Sequence, residues 1–136
     1  MKKVTMAVGN KRLLKLAAFL RTVPRKRFDY TEFVGWDWKG AQDLSCGTKG
    51  CALGWAATMP EFRRLGLHLA KGTGFPTLAQ RDDPWLAAER LFGIERYEAY
   101  ELFSPSFDFA KDFDENNATP KYVARKIEQF VKARQG

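Results

Sequence analysis

The stretch 83-DPWLAAERLFGIERYEAYELF-103 contains two helical runs with a stop between them. Asp83 offers a side-chain oxygen to the first free amides of a helix, and Pro84 suits the first helical position because it lacks an amide that would go unpaired there. "WLAAERLF" then runs to Gly93, the residue type that most readily takes the left-handed turn ending a helix. "ERYEAYELF" follows at once and stops at Ser104-Pro105. Small residues, a Gly-Ile turn and a second helix also invite a helix-turn-helix reading. Two features reject it. The interval from Ala88 to Gly93 is one residue longer than that motif uses, and the would-be recognition helix carries Glu95, Glu98 and Glu101 against Arg96 alone. Phosphate repels such a helix from a major groove. The stretch reads as a short helical hairpin.

Working outward, the most regular pattern is C-terminal. Thr119-Pro120 repeats the cap-and-proline start, and Val123, Ile127, Phe130 and Val131 make one apolar stripe at helical spacing. Lys121, Arg125, Glu128 and Lys132 line another face. Near the N-terminus, Leu13, Leu16, Ala17, Leu20 and Val23 recur three or four apart, so a helix is expected from an Asn10 N-cap to about Thr22, with Pro24 stopping it. A further helix is expected from about residue 49, with Thr48 as cap and Cys51 at the third helical position. Pro60 kinks or restarts it, and in "PEFRRLG" the order Glu61, Arg63, Arg64, Gly66 agrees with the helix dipole. Phe28 and Tyr30 alternate in "RFDYTEFVGW", and "GLHLAK" alternates at residues 66–71, so these two are expected to pair as strands. The expected architecture is mainly α (α+β), about five short helices with one small two-stranded β element, in a single compact domain over residues 1–136.

A chain of 136 residues with 45% hydrophobic and 14% aromatic content is long enough to bury a real core. It has no apolar run of 18 residues, which argues against a membrane span. The start, "MKKVTMAVGNKRLLKL", lacks an uninterrupted apolar core and reads as mature protein. Two cysteines are too few for a disulfide framework, and a cytoplasmic, reducing compartment is expected. The net charge of +7 is unevenly laid out. Residues 1–72 carry 14 Lys/Arg against 5 Asp/Glu, residues 73–118 carry 4 against 10, and residues 119–136 carry 5 against 1. If the termini fold together, one face is basic and another acidic.

The chemistry-bearing stretch is 46-CGTKGCALGWAAT-58. A cysteine in the first turn of a helix is pulled toward thiolate by the exposed amides, and Lys49 adds positive charge. A nucleophile also needs a base, and the chain has one histidine, His68, which must fold back to reach Cys51. Metal binding finds no pair of close ligand pairs here. A Cys46–Cys51 disulfide would close a small loop and stabilise by about 2 kcal/mol. Against these stands packing. Ala52, Gly54, Ala56 and Ala57 strip bulk from the helix so that neighbours approach closely, and Trp55 becomes its one large knob. Packing is the preferred reading. No cofactor or metal is called for.

Locally, "CGTKGCALGWAA" resembles the cysteine segment of papain-like proteases, but the likeness ends after a dozen residues. The two cysteines are wrongly spaced, Gln42 sits at an unsuitable distance for an oxyanion donor, and there is no room for the family's distant His and Asn. Taken together, Cys46 to Ala56, Ala87 to Ile94 with Leu102-Phe103, and Thr119 to Ile127 resemble a family of small proteins from bacteria and their phages, to which no activity is attached. That resemblance implies a shared fold and a phage or mobile-element setting. It lends no catalytic residues.

The candidate binding residues are the cations of "PRKRF", Arg25, Lys26 and Arg27, with Arg63 and Arg64, and the tryptophans Trp36 and Trp38 beside Lys39 as a stacking platform. Buried use of those tryptophans, and of His68 on an apolar strand, is the plainer alternative. The expected function is a non-catalytic binding protein acting through its charged faces on a protein partner, for instance as an inhibitor of a host system. One alternative is a nucleic-acid-binding module using the basic N-terminal half. Another is a thiol-dependent enzyme centred on Cys51 with His68 as base.

Overall fold

The computed structural model describes residues 4–28, 51–70, 74–78, 83–103 and 119–135. It is mainly helical, with one small antiparallel sheet. In chain order the helices are α1 (Met6–Leu20), α2 (Ala52–Ala56), α3 (Pro60–Arg64), α4 (Pro84–Phe92), α5 (Arg96–Phe103) and α6 (Pro120–Gln135), with a 3-10 turn at Arg25–Arg27. The expected second helix does restart at Pro60, which sits in the first turn of α3 behind a Met59 N-cap. That break separates α2 from α3.

Helices α1 and α6 form the most extensive helix pair among the described elements. They run antiparallel. Arg134, near the end of α6, bonds to Asn10 near the start of α1, while Arg21, just past the end of α1, bonds to Glu128. The apolar stripe of α1 is the expected one: Leu13, Leu16, Ala17 and Leu20 have no exposed surface, and Val23 is buried just beyond the helix. Each such leucine contributes about 2 kcal/mol through removal from water. On α6, Val123, Ile127 and Val131 are buried, but Phe130 is only partly so, because it lies at the edge of the stripe beneath the Arg134 guanidinium.

The start of α1 corrects the sequence reading. The helix begins at Met6, with Thr5 as N-cap accepting from the Val8 amide at 3.3 Å, and Asn10 lies inside it, buried. Gly9 looks like a residue to exclude from a helix, yet it sits within α1 because a Cβ there would lie 1.8 Å from the Phe92 carbonyl oxygen. The helix tolerates a glycine so that the end of α4 can reach its backbone.

The hairpin 83–103 forms as expected. Asp83 Oδ1 accepts from the Trp85 and Leu86 amides, both at 3.1 Å. Gly93 ends α4 in the left-handed region (φ 63°), and the Gly93 and Ile94 amides return to the Glu89 carbonyl. At the start of α5, Glu98 reaches back to the Glu95 amide at 2.8 Å, the return half of a capping box. Trp85 packs edge-on to Tyr100 with centroids 4.8 Å apart, and Phe92 touches both Phe62 and Phe103. Arg96 ties the two helices outside the core, bonding Asp83 at 2.9 Å and Glu89 at 3.2 Å.

The sheet has a strand that the alternation did not single out. His68–Leu69 pairs with Pro76–Thr77, in the register His68 to Thr77 and Leu69 to Pro76, through a turn containing Gly74. This hairpin closes a short loop, at small entropic cost. Phe28 is buried and extended after the 3-10 turn and is itself a bridge residue. Tyr30 and the rest of that expected strand lie outside the described residues.

Candidate cationic groove

The segment Cys51–Ala57 is buried throughout. Cys51 is the N-cap of α2, not its third helical residue, with extended backbone and no side-chain capping bond. The reason is helix length. α2 has only five residues and starts at Ala52, three positions later than a Thr48 cap would place it. Trp55 is the anchor anticipated for this helix. It packs against Phe19, donates from Nε1 to the Arg27 carbonyl at 3.1 Å, and lies under the Arg27 guanidinium at 5.3 Å. His68 is half-buried, with Nδ1 3.0 Å from the Gly66 carbonyl oxygen. Among the described residues there is no group of three or more His, Cys, Asp and Glu able to hold a metal ion. Cys46, Thr48, Lys49, Trp36, Trp38, Lys39 and Gln42 lie outside the described residues.

The basic residues of the 3-10 turn divide in two. Arg27 is drawn inward over Trp55, while Arg25 and Lys26 are exposed. Arg25 faces a groove of about 480 Å³ lined by Arg21, Thr22, Val23, Pro24, Arg25, Thr119, Pro120 and Lys121. The groove forms where α1 ends, the chain turns at Pro24, and α6 begins. Pro24 stops one helix and Pro120 starts the other, so two backbone breaks built into the sequence create the concavity. Among the described residues three cations line it and no carboxylate does. The Thr119 hydroxyl accepts from the Tyr122 amide at 3.1 Å, and the amino end of α6 adds its own positive field. Arg125 continues the cationic surface one turn after Lys121.

The structure divides the anticipated basic residues among different places. Arg25 belongs to the groove, whose lining includes neither Arg63 nor Arg64. Those two are exposed at the end of α3, which is joined to α1 by the Lys15–Glu61 bond at 2.8 Å. Arg21 and Lys121 were not singled out as binding residues. They are 100 positions apart, and only the antiparallel packing of α1 on α6 brings them together. The two cap signals, Pro24 after a helix and Thr119-Pro120 before one, were the available hint.

Among the described residues, one ion pair stands beside the groove. Arg21 Nε donates to Glu128 Oε2 at 3.1 Å and its Nη2 to Oε1, so the guanidinium fork is taken by both carboxylate oxygens. That hydrogen bond, helped by the charge of Arg21 and then of Arg125, holds the Glu128 carboxyl below its ordinary pKa against burial, which opposes it more strongly than either charge acts. The same pair raises the Arg21 pKa.

No protein-family model matches the chain, and no curated protein or solved structure matches it either. Among the described residues no helix is long and apolar enough to cross a membrane.

Proposed function

We propose that the protein is a non-catalytic binding module whose cationic groove takes an acidic segment of a protein partner. The observation that carries this reading is the convergence of Arg21, Arg25 and Lys121 on one concavity. A concave site of this size accepts side chains or an extended segment. It does not present a convex element that could enter a duplex groove, as the common DNA-reading motifs do. Charge complementarity of this kind selects a partner and speeds its capture more than it adds affinity. Cysteine usage and the resemblance noted above support a cytoplasmic setting and an accessory role in a phage or mobile element, such as inhibition of a host system.

A tagged pull-down from bacterial lysate, with and without nuclease, tests the reading when run beside an Arg25→Ala/Lys121→Ala variant. The expected result is a discrete protein band that survives nuclease and fades in the variant. A signal abolished by nuclease would move the function to nucleic acid. A band indifferent to the variant would move the binding face away from the groove.

A further inference from the structure

We infer that the outer face of α1 is a second docking surface, which takes an acidic amphipathic helix of a protein partner. It lies beyond the cationic groove and does not depend on it. The packed helices α1 and α6 differ on their outer sides. On α6 the exposed side chains include Lys121, Arg125, Gln129 and Lys132, and no large hydrophobic is exposed. On α1 the inner stripe is already buried, yet Met6, Val8 and Leu14 are exposed too. They are three of the five large hydrophobics so exposed among the described residues. A helix that is apolar on both sides is suited to being covered on both.

Val8 opens on a groove of about 300 Å³ between α1 and α3, where Phe62 and Leu65 complete the apolar surface. Among the described residues its charges are Lys11, Arg12, Lys15 and Glu61. Arg12 is engaged by the Leu91 carbonyl and Lys15 by Glu61, each at 2.8 Å. Lys11 is exposed and makes no hydrogen bond or ion pair with the described residues. An apolar seat thus stands beside an excess of positive charge, the complement of an apolar side chain with a carboxylate next to it. Lys11 is three residues from both Val8 and Leu14, a spacing at which helix side chains are neighbours. Val8 and Leu14 are separated by about 9 Å of helix rise, close to the roughly 10 Å between apolar residues two turns apart on a partner helix. A carboxylate on the flank of that helix would meet Lys11. The same charge disfavours a second copy of the chain, because two-fold pairing of this face would set its lysines against each other.

The test titrates the full chain with two fluorescent helical peptides, read by anisotropy. One contains glutamate, alanine and leucine, with its leucines on one face, and in the other alanine replaces leucine. The readout is the ratio of their affinities, since either peptide can also reach the cationic groove. The leucine peptide should bind about tenfold more tightly. Val8→Gln should cut that preference to about threefold, and Leu14→Gln, which lies outside the groove lining, should also reduce it if Val8→Gln disturbs folding. Lys11→Gln should weaken the leucine peptide about threefold. Arg25→Ala/Lys121→Ala should leave the preference intact. Equal affinity for the two peptides, or a preference indifferent to Val8, Leu14 and Lys11, overturns the inference, and so does no binding of either. A preference lost only in Arg25→Ala/Lys121→Ala places the leucines in the cationic groove: this inference falls and the proposed function stands. A dimer of the chain alone that Val8→Gln dissociates in sedimentation gives the face to a second copy. Tighter binding to anionic phospholipid vesicles, lost in Val8→Gln, gives it to a membrane surface. Either result overturns the protein-helix partner.

Discussion

The two ends of the α1–α6 pair use arginine in opposite ways. At one end Arg134 lies folded against the protein, its Nε 2.6 Å from Asn10 Oδ1, its Nη1 3.2 Å from the Gly93 oxygen and its Nη2 3.3 Å from the Phe92 oxygen. Arg12 adds a bond to the Leu91 oxygen at 2.8 Å, so the carbonyls that α4 leaves unpaired are satisfied by side chains from two other helices. At the other end Arg21, Arg25 and Lys121 line an open groove, and Arg21 pairs with Glu128 beside it. Removing water from the Arg134 guanidinium lowers its pKa, with Glu98 opposing, whereas the pairing of Arg21 with Glu128 raises its own. One end buries its arginine against backbone carbonyls, and the other keeps its cations at an exposed groove.

The largest expected effect comes from breaking the end that buries its arginine. Gly9→Ala places a Cβ 1.8 Å from the Phe92 oxygen, inside contact distance of backbone that Arg134 also holds. The strain should cost about 3 kcal/mol in urea unfolding, as overpacking of a tight site does. Arg134→Met comes next. It keeps much of the stem but leaves the Asn10 carbonyl group and the last carbonyls of α4 without this donor, and the expected loss is about 2 kcal/mol. An outcome within experimental error for Arg134→Met would mean that water replaces the guanidinium easily and that this end is no more rigid than the other.

Smaller and more specific is the cap of α4. Burial pushes the Asp83 carboxyl pKa up, but the Arg96 bond, the Leu86 and Trp85 amides and the Arg96 charge together hold it below the ordinary value. A carboxyl with a lowered folded pKa contributes stability above its unfolded pKa and loses it as pH falls through the folded one. The wild-type protein should therefore lose stability as pH drops below about 4. Asp83→Asn retains a good cap and should show less of that acid dependence, while Asp83→Ala should cost about 1 kcal/mol at neutral pH. Thermal melts across the acid range check both. Equal acid sensitivity in Asp83→Asn and wild type would place the dependence on other carboxylates, Glu128 among them.

What the sequence made legible follows the same division. Signals confined to a few residues were readable: Asp83-Pro84, Gly93, Thr119-Pro120, the Leu13–Leu20 stripe and the restart at Pro60 all appear in the structure. Contacts made by distant residues were not. Asn10 looked like a cap because Asn caps helices, and only Arg134, 124 positions away, explains its place inside one. Gly9 looked like a helix breaker until the Phe92 carbonyl occupied the space above it. The groove was half legible, since Arg25 stands out in a basic run, while Arg21 and Lys121 join it only through tertiary packing.

The smallest effect on stability should come from the groove, and it sharpens the contrast most. Lys121 and Arg25 are exposed, so Arg25→Ala/Lys121→Ala should change unfolding free energy by within about 0.5 kcal/mol. The same variant should bind an acidic peptide about tenfold more weakly, with a shallower salt dependence, because fewer cations then act on the ligand. Stability and binding would then separate cleanly along one helix pair. If the double variant instead unfolds with a loss comparable to Arg134→Met, the groove cations hold the fold as well, and the two ends of the pair differ only in how much water reaches them.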